Sequence, residues 1–593
     1  MRMTTGEGAD LRSTPSRWDE QYDLVVLGAG AGGMTTALVS AIEGMRTLLI
    51  EKSEQVGGTT AYSSGTVWIP NNSQQRGLGI TGDAEAALEY LDALVAGRAD
   101  RALREAFIAA GPEMLQYLEN YTDLRFQAYW QQPDYHQELP GAAAGGRPLE
   151  PLPFDGRTLG KDFDRVRWPL PELMLFGGMM VTRGEVARLL RVGRNLDSLL
   201  LGARLCARYA WDRLRFRRGT RLVLGNALAA RLFKNLLDRR VAIWFNGKTR
   251  RLISEEGRAC GLVVERDGSE VRVRARRGIV LAGGGFPASP ELRERYLPKP
   301  VAQYTSAFEG CAGETLLLAQ DIGASLGPLG EDNALWFPSS IATRKDGSTA
   351  VYPHIVLDRG RPGLVAVNSA GRRFVNEAVS YHEFVRAMYR SHRHVPTIPA
   401  WLVCDRRFVW KYGLGMIRPL TPILKPFIER GYLSVADSLD GLARKIGVDA
   451  AGLVETIQVH NEFARTGVDT ELGKGSNPYD RATGDAEHSP NPCLGPIQKP
   501  PFCAVAVYPT PLGTSLGLQT NACAQVLDGG GRPIPGLYAC GNDQHSVFGG
   551  EYPGAGAQLG LAMTFGYLAA MHAAGAERVT KSAVGGVQGG HAR

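Results

Sequence analysis

The most constraining feature of the sequence is a glycine-rich turn between a buried strand and a helix near the N-terminus. Residues 23–28 (DLVVLG) have the apolar character of a short buried strand, and residues 34–45 (MTTALVSAIEGM) have that of a helix. The turn between them carries Gly28, Gly30 and Gly33 in G-x-G-x-x-G spacing. A second apolar strand, residues 46–51 (RTLLIE), ends at Glu51. This order predicts a Rossmann-like unit that binds a dinucleotide.

Each part of this motif has its own physical task. Gly28 permits the tight turn, Gly30 lets a pyrophosphate approach the backbone, and Gly33 lets the helix pack closely on the strand. The helix N-terminus offers unpaired N–H groups to the phosphates. The carboxylate of Glu51 is placed to accept hydrogen bonds from a ribose.

Composition narrows the class of protein. The 593 residues allow two to four domains, and 44% hydrophobic with 21% charged residues indicates a globular chain. No apolar stretch reaches the ~18 residues of an ordinary spanning helix, and the first 23 residues lack the apolar region of a signal peptide. The eight cysteines form no C-x-x-C pair. We therefore expect no metal site, no disulfide framework and a cytoplasmic location.

A second glycine turn follows Glu51 and indicates FAD as the dinucleotide. Residues 52–65 (KSEQVGGTTAYSSG) resemble the FAD-binding pattern of the fumarate reductase and succinate dehydrogenase flavoprotein superfamily. Members with covalent flavin carry a histidine near this turn, and this segment has none, so non-covalent FAD is implied. The resemblance implies FAD contacts at Lys52, Gly58, Thr59, Thr60, Ser64 and Gly65.

The C-terminal part implies a second set of FAD contacts. Residues 536–542 (GLYACGN) have the pattern of a strand that ends in a glycine turn at Gly541 and Asn542, and a helix opens between Gly556 and Leu559. A helix N-terminus at the N1/C2 edge of the flavin would stabilise the negative charge of the reduced ring. Residues 279–286 (IVLAGGGF), which include Gly284, resemble the return strand and turn of the superfamily.

These segments predict an α/β protein with a discontinuous FAD-binding domain and an inserted α+β catalytic cap. We expect the FAD-binding domain at residues 20–332 and 490–576, the cap at residues 333–489, and a flexible tail at residues 577–593.

The residues after an Asn-Glu pair indicate the substrate. In residues 371–381 (GRRFVNEAVSY), dicarboxylate-reducing members of the superfamily would place an arginine near the position of Tyr381. A phenol cannot clamp a carboxylate as an arginine does, but its phenolate can act as a base. The sequence therefore favours a neutral substrate that carries a carbonyl group over a small unsaturated acid.

The chain resembles 3-ketosteroid Δ1-dehydrogenases over nearly its whole length. Four active-site positions match: Tyr135 in Pro-Asp-Tyr, Tyr381 after Asn-Glu, and Tyr552 with Gly556 in Tyr-Pro-Gly-x-Gly. The resemblance implies flavin-dependent conversion of 3-keto-4-ene steroids to 1,4-dien-3-ones in sterol degradation. Tyr552 and the Gly556 N–H would polarise the C3 ketone, Tyr381 would remove a C2 proton, and hydride would leave C1 for flavin N5.

The resemblance also carries expectations and alternatives. We expect neighbours such as Tyr135 to lower the pKa of Tyr381, and the acceptor that reoxidises the flavin is not identified. The alternatives are a 3-ketosteroid Δ4-(5α)-dehydrogenase, against which Tyr135 argues, a fumarate-reductase-like reductase, and a flavoprotein scaffold without enzymatic activity.

One segment makes the protein basic. Between Arg188 and Arg240, 14 Lys and Arg residues against three Asp give a local charge of +11, which exceeds the +7 of the whole chain. Apolar residues from Leu199 to Phe216 recur at helical spacing among the arginines. Residues of about 188–240 are therefore predicted to form an amphipathic insertion that docks on an anionic membrane surface, at the inner face of the cell membrane.

The basic segment has two other interpretations. A cover helix or an oligomer interface is the alternative to membrane docking, and nothing in the chain resembles a nucleic-acid recognition module, so no nucleic acid is expected. Membrane docking would suit a water-insoluble substrate with an intact C17 side chain, such as cholest-4-en-3-one.

Overall fold

Two large β-sheets organise the chain. The structure is a computed structural model that describes residues 17–189, 196–344, 346–355 and 358–576. The strands are β1 (Glu20–Leu27), β2 (Thr47–Ile50), β3 (Val67–Trp68), β4 (Phe126–Ala128), β5 (Pro148–Pro151), β6 (Phe154–Asp155), β7 (Arg221–Leu222), β8 (Ala242–Trp244), β9 (Lys248–Glu255), β10 (Arg258–Arg266), β11 (Ser269–Leu281), β12 (Ala334–Thr343), β13 (Thr349–Pro353), β14 (Leu364–Val367), β15 (Ala400–Asp405), β16 (Ser434–Ala436), β17 (Phe502–Thr514), β18 (Gln525–Leu527) and β19 (Pro533–Ala539).

Helices connect and cover these strands. The α-helices are α1 (Ala31–Ile42), α2 (Ser73–Gly77), α3 (Asp83–Val95), α4 (Arg101–Tyr121), α5 (Arg183–Leu189), α6 (Leu196–Arg213), α7 (Leu224–Asp238), α8 (Pro290–Tyr296), α9 (Glu314–Gln320), α10 (Tyr381–His392), α11 (Arg406–Tyr412), α12 (Lys425–Glu429), α13 (Leu439–Ile446), α14 (Ala450–Thr466), α15 (Pro478–Thr483) and α16 (Ala557–Ala574).

The first sheet joins the two ends of the chain. Its strand order is β18–β19–β11–β1–β2–β8, and β10 and β9 extend it from β11 as antiparallel strands. The pairs β19–β11, β11–β1, β1–β2 and β2–β8 are parallel. Parallel neighbours need crossover connections, and α1 provides the one between β1 and β2. This topology confirms the Rossmann-like α/β fold predicted from the glycine motif.

The second sheet is antiparallel and carries the cap. Its order is β13–β12–β17–β15–β14, with β16 also paired to β17. The sequence boundary at residue 490 placed residues 502–514 in the FAD-binding domain, whereas these residues form β17, which pairs with β12 on one side and β15 on the other. The cap sheet therefore takes its central strand from beyond that boundary, because only this long strand bridges β12 and β15.

The basic segment divides into an exposed part and a buried part. Trp211 in α6 and Leu214 just after it are 63% and 75% exposed, while Leu205 of α6 is buried against the body of the protein. By contrast α7 is mostly buried, and its Arg231 donates hydrogen bonds to the Leu152 and Pro153 carbonyls. Helix α7 therefore does not share the exposed face of α6, because its arginine, Arg231, is held against the core.

No helix within the described residues has both the length and the apolar character needed to cross a bilayer.

Candidate active site

A single cavity connects the glycine motif with the three predicted tyrosines. Its volume is about 660 Å³, and it extends from Gly28 and Gly30 to Tyr135, Tyr381 and Tyr552. The other predicted cofactor residues in its wall are Glu51, Lys52, Gly58, Thr59, Thr60, Ser64, Gly284, Gly541, Asn542, Gly556 and Leu559. A dinucleotide bound at the first end would thus reach the tyrosines at the second.

Two predicted cofactor residues do not line the cavity. A Cβ atom at Gly33 would lie 1.9 Å from the Gly28 carbonyl oxygen, and one at Gly65 would lie 2.6 Å from the Leu224 carbonyl carbon. These glycines permit close packing of α1 and α7 against the turns beside the cavity. Gly33 thus has the packing position predicted for it, and the cofactor contact implied for Gly65 stays a prediction.

The first end of the cavity is built to receive a phosphate and a ribose. Helix α1 begins after Gly30 without a side-chain cap, although Thr60 Oγ1 accepts a 3.0 Å hydrogen bond from the Ala31 N–H. Glu51 is buried, and one of its carboxylate oxygens accepts a 3.0 Å hydrogen bond from the Ala29 N–H. This bond fixes the carboxylate beside the turn, where its remaining lone pairs can meet ribose hydroxyl groups.

The three tyrosines contact one another at the second end. The Tyr135 hydroxyl donates a 3.0 Å hydrogen bond to the Tyr381 hydroxyl oxygen. The ring centroid of Tyr552 lies 5.7 Å from that of Tyr135 and 5.3 Å from that of Tyr381. Phe337 packs on Tyr381 at 4.6 Å, and Tyr479 packs on Tyr135 at 4.9 Å. The phenols therefore converge within a wall of aromatic rings.

A buried ion pair positions Tyr135. The Asp134 side chain is fully buried, accepts a 2.8 Å hydrogen bond from Trp68 Nε1, and lies 2.5 Å from an Arg147 guanidinium nitrogen. The Tyr135 N–H in turn donates to the Pro553 carbonyl at 3.0 Å. The Pro-Asp-Tyr segment is thus anchored directly to the loop that carries Tyr552.

A second buried arginine ties that loop to α10. Arg386 pairs with Asp332 at 2.9 Å and with Glu551 at 2.8 Å, and it donates to the Gly550 carbonyl at 3.0 Å. Since α10 begins at Tyr381 and Glu551 precedes Tyr552, this network holds two of the phenols in one orientation.

An apparent metal cluster belongs to the same network. Ligand atoms of His136, Glu383 and Glu551 lie within 4.8 Å of one another. Arg386 pairs with both carboxylates, at 3.2 Å for Glu383 and 2.8 Å for Glu551. The guanidinium balances the acidic charge at this position and opposes a cation, so the cluster is better explained as ion pairing.

A third ion-pair network supports the turn before Tyr381. Glu377 is fully buried and pairs with Arg373 at 2.9 Å and with Lys474 at 3.2 Å. Burial alone would raise the pKa of Glu377, but these two charges hold it well below its usual range. Asn376 donates a 2.8 Å hydrogen bond to Asp480. The Asn-Glu pair of the motif is therefore structural.

The pKa of Tyr381 differs from the prediction. Burial raises it well above the ordinary value of 10.0, and the neighbouring Tyr135 and Tyr552 raise it further. Burial also raises the pKa of Tyr552 to about 12. The expectation that Tyr135 lowers the pKa of Tyr381 is therefore wrong, because burial removes the water that would solvate a phenolate and neither neighbouring phenol offsets that loss.

Comparison with known proteins assigns the family. Residues 23–559 match the family described as FAD binding domain. The chain is 36% identical over 569 residues to a 3-oxosteroid 1-dehydrogenase of Mycobacterium tuberculosis, covering 94% of this chain and 98% of that protein. The chain belongs to the 3-oxosteroid 1-dehydrogenase family of flavin-dependent enzymes.

Other members of the family agree in fold and length. The crystal structure of a 3-ketosteroid Δ1-dehydrogenase from Sterolibacterium denitrificans, in complex with 1,4-androstadiene-3,17-dione, superposes with a TM-score of 0.88 at 40% identity, covering 94% of this chain and all of that one. A 4-oxocyclohex-2-ene-1-carboxylate 5-dehydrogenase of Sinomonas cyclohexanicum is 34% identical, with 92% of each chain covered. The predictions of an FAD-dependent oxidoreductase and of its family are confirmed.

The cavity residues of this 3-oxosteroid 1-dehydrogenase family member fit FAD. Helix α16, like α1, begins after a glycine without a side-chain cap, and that glycine, Gly556, lies in the cavity wall. A Cβ atom at Gly556 would lie 2.4 Å from the Thr66 carbonyl oxygen, so only glycine fits there. The buried Gln558 Nε2 faces this region and has no acceptor among the described residues. Both free helix termini suit the negative groups of FAD.

Sequence reasoning missed three residues that shape the site. Asp543 accepts hydrogen bonds from the Gly283 and Gly285 N–H groups at 2.7 and 2.8 Å, and so joins the return turn to the C-terminal strand. Its position after Gly541-Asn542 was a usable signal. Asp134 was visible within Pro-Asp-Tyr, but Arg386 had no sequence signal, because its partners are distant in sequence.

Proposed function

We propose that the protein dehydrogenates the C1–C2 bond of 3-keto-4-ene steroids and forms 1,4-dien-3-ones. The observation that carries this proposal is the convergence of Tyr135, Tyr381 and Tyr552 at one end of a cavity whose other end fits FAD. Among the described residues of the cavity wall, no other three phenols contact one another. This set matches a ketone that must be polarised and an adjacent carbon that must lose a proton.

The C3 ketone would be held by Tyr552 and Gly556. The Gly556 N–H has no acceptor among the described residues and belongs to the free terminus of α16. Two donors aimed at one oxygen stabilise the enolate that develops when C2 loses its proton. A donor of this kind is worth ~3 kcal/mol in an enclosed site.

Tyr381 would remove the proton from C2. It is 5% exposed and lies between the other two phenols, so water does not compete at its hydroxyl group. The Tyr135 hydroxyl, 3.0 Å from that of Tyr381, would hold the Tyr381 side chain in position for this transfer. A hydride would then leave C1, and FAD would supply this two-electron oxidation when bound.

The nearest alternative reaction is dehydrogenation of the C4–C5 bond of 5α-steroids, and the next is reduction of a small unsaturated acid. Reduction of a small acid needs a cation beside Tyr381. The rings that pack on that phenol are instead those of Tyr135, Tyr552 and Phe337. Anaerobic flavin reduction separates all three readings. A 4-en-3-one should bleach the flavin and give a 1,4-dien-3-one, a 5α-saturated 3-ketone should give a 1-en-3-one and not a 4-en-3-one, and succinate should not bleach the flavin.

The cavity also supports substrates with a C17 side chain, such as cholest-4-en-3-one. Away from the tyrosines its wall contains the apolar side chains of Leu170, Leu173, Val181 and Val186, with Arg183 among them. These residues lie on and before α5, at the base of the exposed α6. An alkyl side chain placed there would gain about 25 cal/mol of transfer free energy for each Å² of apolar surface that it buries.

The exposed surface around this opening supports docking on an anionic membrane. Leu199, Leu200, Trp211 and Leu214 are exposed on α6 or just after it, with arginines between them. Phe176, whose carbonyl accepts a 2.9 Å hydrogen bond from the Tyr209 hydroxyl, is 71% exposed beside them. We call this set, residues 173–176 and 196–215, the rim. Apolar side chains would insert between lipids while arginines bind their phosphates.

The cap contributes a second exposed apolar segment close to the rim. Arg418 donates a hydrogen bond to the Met174 carbonyl, and the neighbouring Leu420 and Ile423 are exposed. The opening is thus flanked by apolar side chains from both parts of the protein. A sterol could pass from the bilayer into the cavity without crossing water, at the inner face of the cell membrane.

Vesicle binding tests the membrane proposal. The holoenzyme should sediment with vesicles that contain phosphatidylglycerol, less with pure phosphatidylcholine, and less again at 1 M salt, where charges are screened within ~3 Å. Replacing Trp211 and Leu214 with serine should weaken binding, whereas Leu317→Ser, exposed on α9, should not. Equal binding to both kinds of vesicle would contradict the proposal.

A further inference from the structure

The charged residues of the cavity wall fall into two groups. Near the nucleotide end the wall carries charges of both signs, and Lys52 pairs with Glu314 at 2.5 Å; the charged residues there are Glu51, Lys52, Lys248, Arg250 and Glu314. On the side of the tyrosines and the rim, the wall carries Arg183 and Arg361, and no described carboxylate lines that part. The portion that would receive the steroid is therefore electrically positive.

The guanidinium group of Arg183 has N–H donors that make no hydrogen bond to a described residue. Arg183 is the first residue of α5 and stands over the Tyr129 ring at 5.6 Å. Its nearest described carboxylate is Glu150, at 3.6 Å, too far for a hydrogen bond, and that Glu150 oxygen has no other partner. The side chain is 24% exposed. Its N–H groups therefore face the cavity without an acceptor among the described residues.

Arg361 enters the cavity from the cap. It donates a hydrogen bond to the Gly484 carbonyl and lies 5.9 Å from the Tyr412 ring centroid. No carboxylate of the described residues lies within 4.0 Å of its guanidinium group, so its charge is balanced only by dipoles. Both arginines thus line the same cavity, Arg183 from α5 and Arg361 from the cap loop between β13 and β14.

We propose that Arg183 and Arg361 form an anion subsite that selects 3-ketosteroids whose C17 side chain ends in a carboxylate. This inference rests on the proposed function, because it assumes that the C3 ketone lies at Tyr552. Arg183 lies between Val181 and Val186 of the opening, which is where the side chain of such a substrate would end. Arginine binds a carboxylate through two parallel charge-assisted hydrogen bonds.

A matched pair of substrates tests this subsite. The holoenzyme is assayed at pH 8 with 3-oxochol-4-en-24-oic acid and with its methyl ester, which share every atom except the ester methyl. A charge-assisted hydrogen bond predicts about tenfold higher kcat/KM for the acid. Arg183→Gln and Arg361→Gln should each reduce that ratio toward one by lowering kcat/KM for the acid more than for the ester. Arg188→Gln, an exposed arginine of the same helix outside the cavity wall, should keep the ratio.

The outcomes distinguish this inference from the proposed function. Oxidation of the ester together with an acid-to-ester ratio near one in the wild type would overturn the subsite and leave the proposed function standing. An unchanged ratio in both Arg183→Gln and Arg361→Gln would also overturn it. Oxidation of neither steroid would overturn the proposed function and the subsite with it. Bound flavin absorbance, measured in every variant, shows that the FAD site is intact.

Discussion

The hydroxyl groups of Tyr135 and Tyr381 are joined by a 3.0 Å hydrogen bond in which Tyr135 is the donor. The donor belongs to the loop after β4, and the acceptor is the first residue of α10 in the cap. The bond therefore crosses between the two parts of the protein. Any change that separates the cap from the first sheet also separates these phenols.

Removal of the Tyr381 hydroxyl group tests its role as the base. Tyr381→Phe should lower the rate of anaerobic flavin reduction by ~10²–10⁴-fold, the usual contribution of a general base. Tyr135→Phe should cost less, because it removes only one donor. Tyr508→Phe is the control, since Tyr508 packs on Tyr304 outside the cavity wall. Retention of the rate in Tyr381→Phe would exclude this residue as the base.

The raised pKa of Tyr381 predicts a rate that increases with pH. Burial and two neighbouring phenols hold the pKa above 10.0, so little phenolate exists at neutral pH. The logarithm of kcat/KM should rise with a slope approaching one as pH increases toward 10. A profile that stays flat from pH 7 to pH 10 would show that proton removal from C2 does not depend on this phenol.

The start of α16 should tolerate no side chain. Gly556 has a φ of 92°, and a Cβ atom there would lie 2.4 Å from the Thr66 carbonyl oxygen. Gly556→Ala should therefore lose bound FAD and lower Tm. Gly575 ends the same helix at a φ of 69° with nothing within 4 Å of a Cβ atom. Gly575→Ala should cost only the backbone strain, ~1–2 kcal/mol, and keep its flavin.

The Asp134–Arg147 pair should be essential to stability. Both side chains are buried, and Arg147 also pairs with the buried Asp83, so Arg147→Met leaves two carboxylates without a counter-ion and should lower the free energy of unfolding by ~3–5 kcal/mol. Glu462→Gln, which breaks an exposed pair with Arg465, should change it by less than ~1 kcal/mol. Denaturant unfolding measures both. Equal effects of the two substitutions would contradict the positioning role of the Asp134–Arg147 pair.

Buried histidines should make the protein labile in acid. Burial lowers the pKa of His460 to about 3 and that of His545 to about 4, whereas an unfolded histidine titrates near 6.5. Below pH 6.5 the unfolded chain binds protons that the folded chain excludes. Stability is therefore complete above pH 6.5 and falls by ~1.4 kcal/mol per pH unit for each histidine as pH decreases toward 4.

Unfolding measured across this pH range should show a shallower slope in His460→Gln. The exposed His394 provides the control, since His394→Gln should leave the slope unchanged. A wild-type free energy of unfolding that is constant between pH 6.5 and pH 4 would contradict the assignment of these histidines as neutral.

The nucleotide end could be predicted from sequence because its chemistry is local. Gly28, Gly30 and Glu51 lie within 24 residues, and the turn, helix and strand between them have distinct patterns. The tyrosines came from a family resemblance, and their contacts could not be derived, since Tyr135 and Tyr381 are 246 positions apart.

The features that the sequence did not predict correctly share one physical cause, which is packing between residues distant in sequence. The sequence pattern of α7 resembles that of α6, yet α7 is buried and its Arg231 donates hydrogen bonds to backbone carbonyls. The pKa of Tyr381 was predicted in the wrong direction because a hydrogen bond was weighed without the loss of solvent around it. Arg386 was missed because Asp332 and Glu551, its partners, flank it at distances of 54 and 165 residues.

The proposed dehydrogenation of the C1–C2 bond is tested most directly by showing where the new double bond forms in the steroid. The holoenzyme is mixed anaerobically with a 4-en-3-one steroid that carries deuterium at C1 and C2, and the flavin absorbance and the product are followed. The account predicts bleaching of the flavin, a slower rate with the deuterated substrate, and a 1,4-dien-3-one that has lost one deuterium from each carbon. An unbleached flavin, or a product that keeps both labels in full, would contradict it.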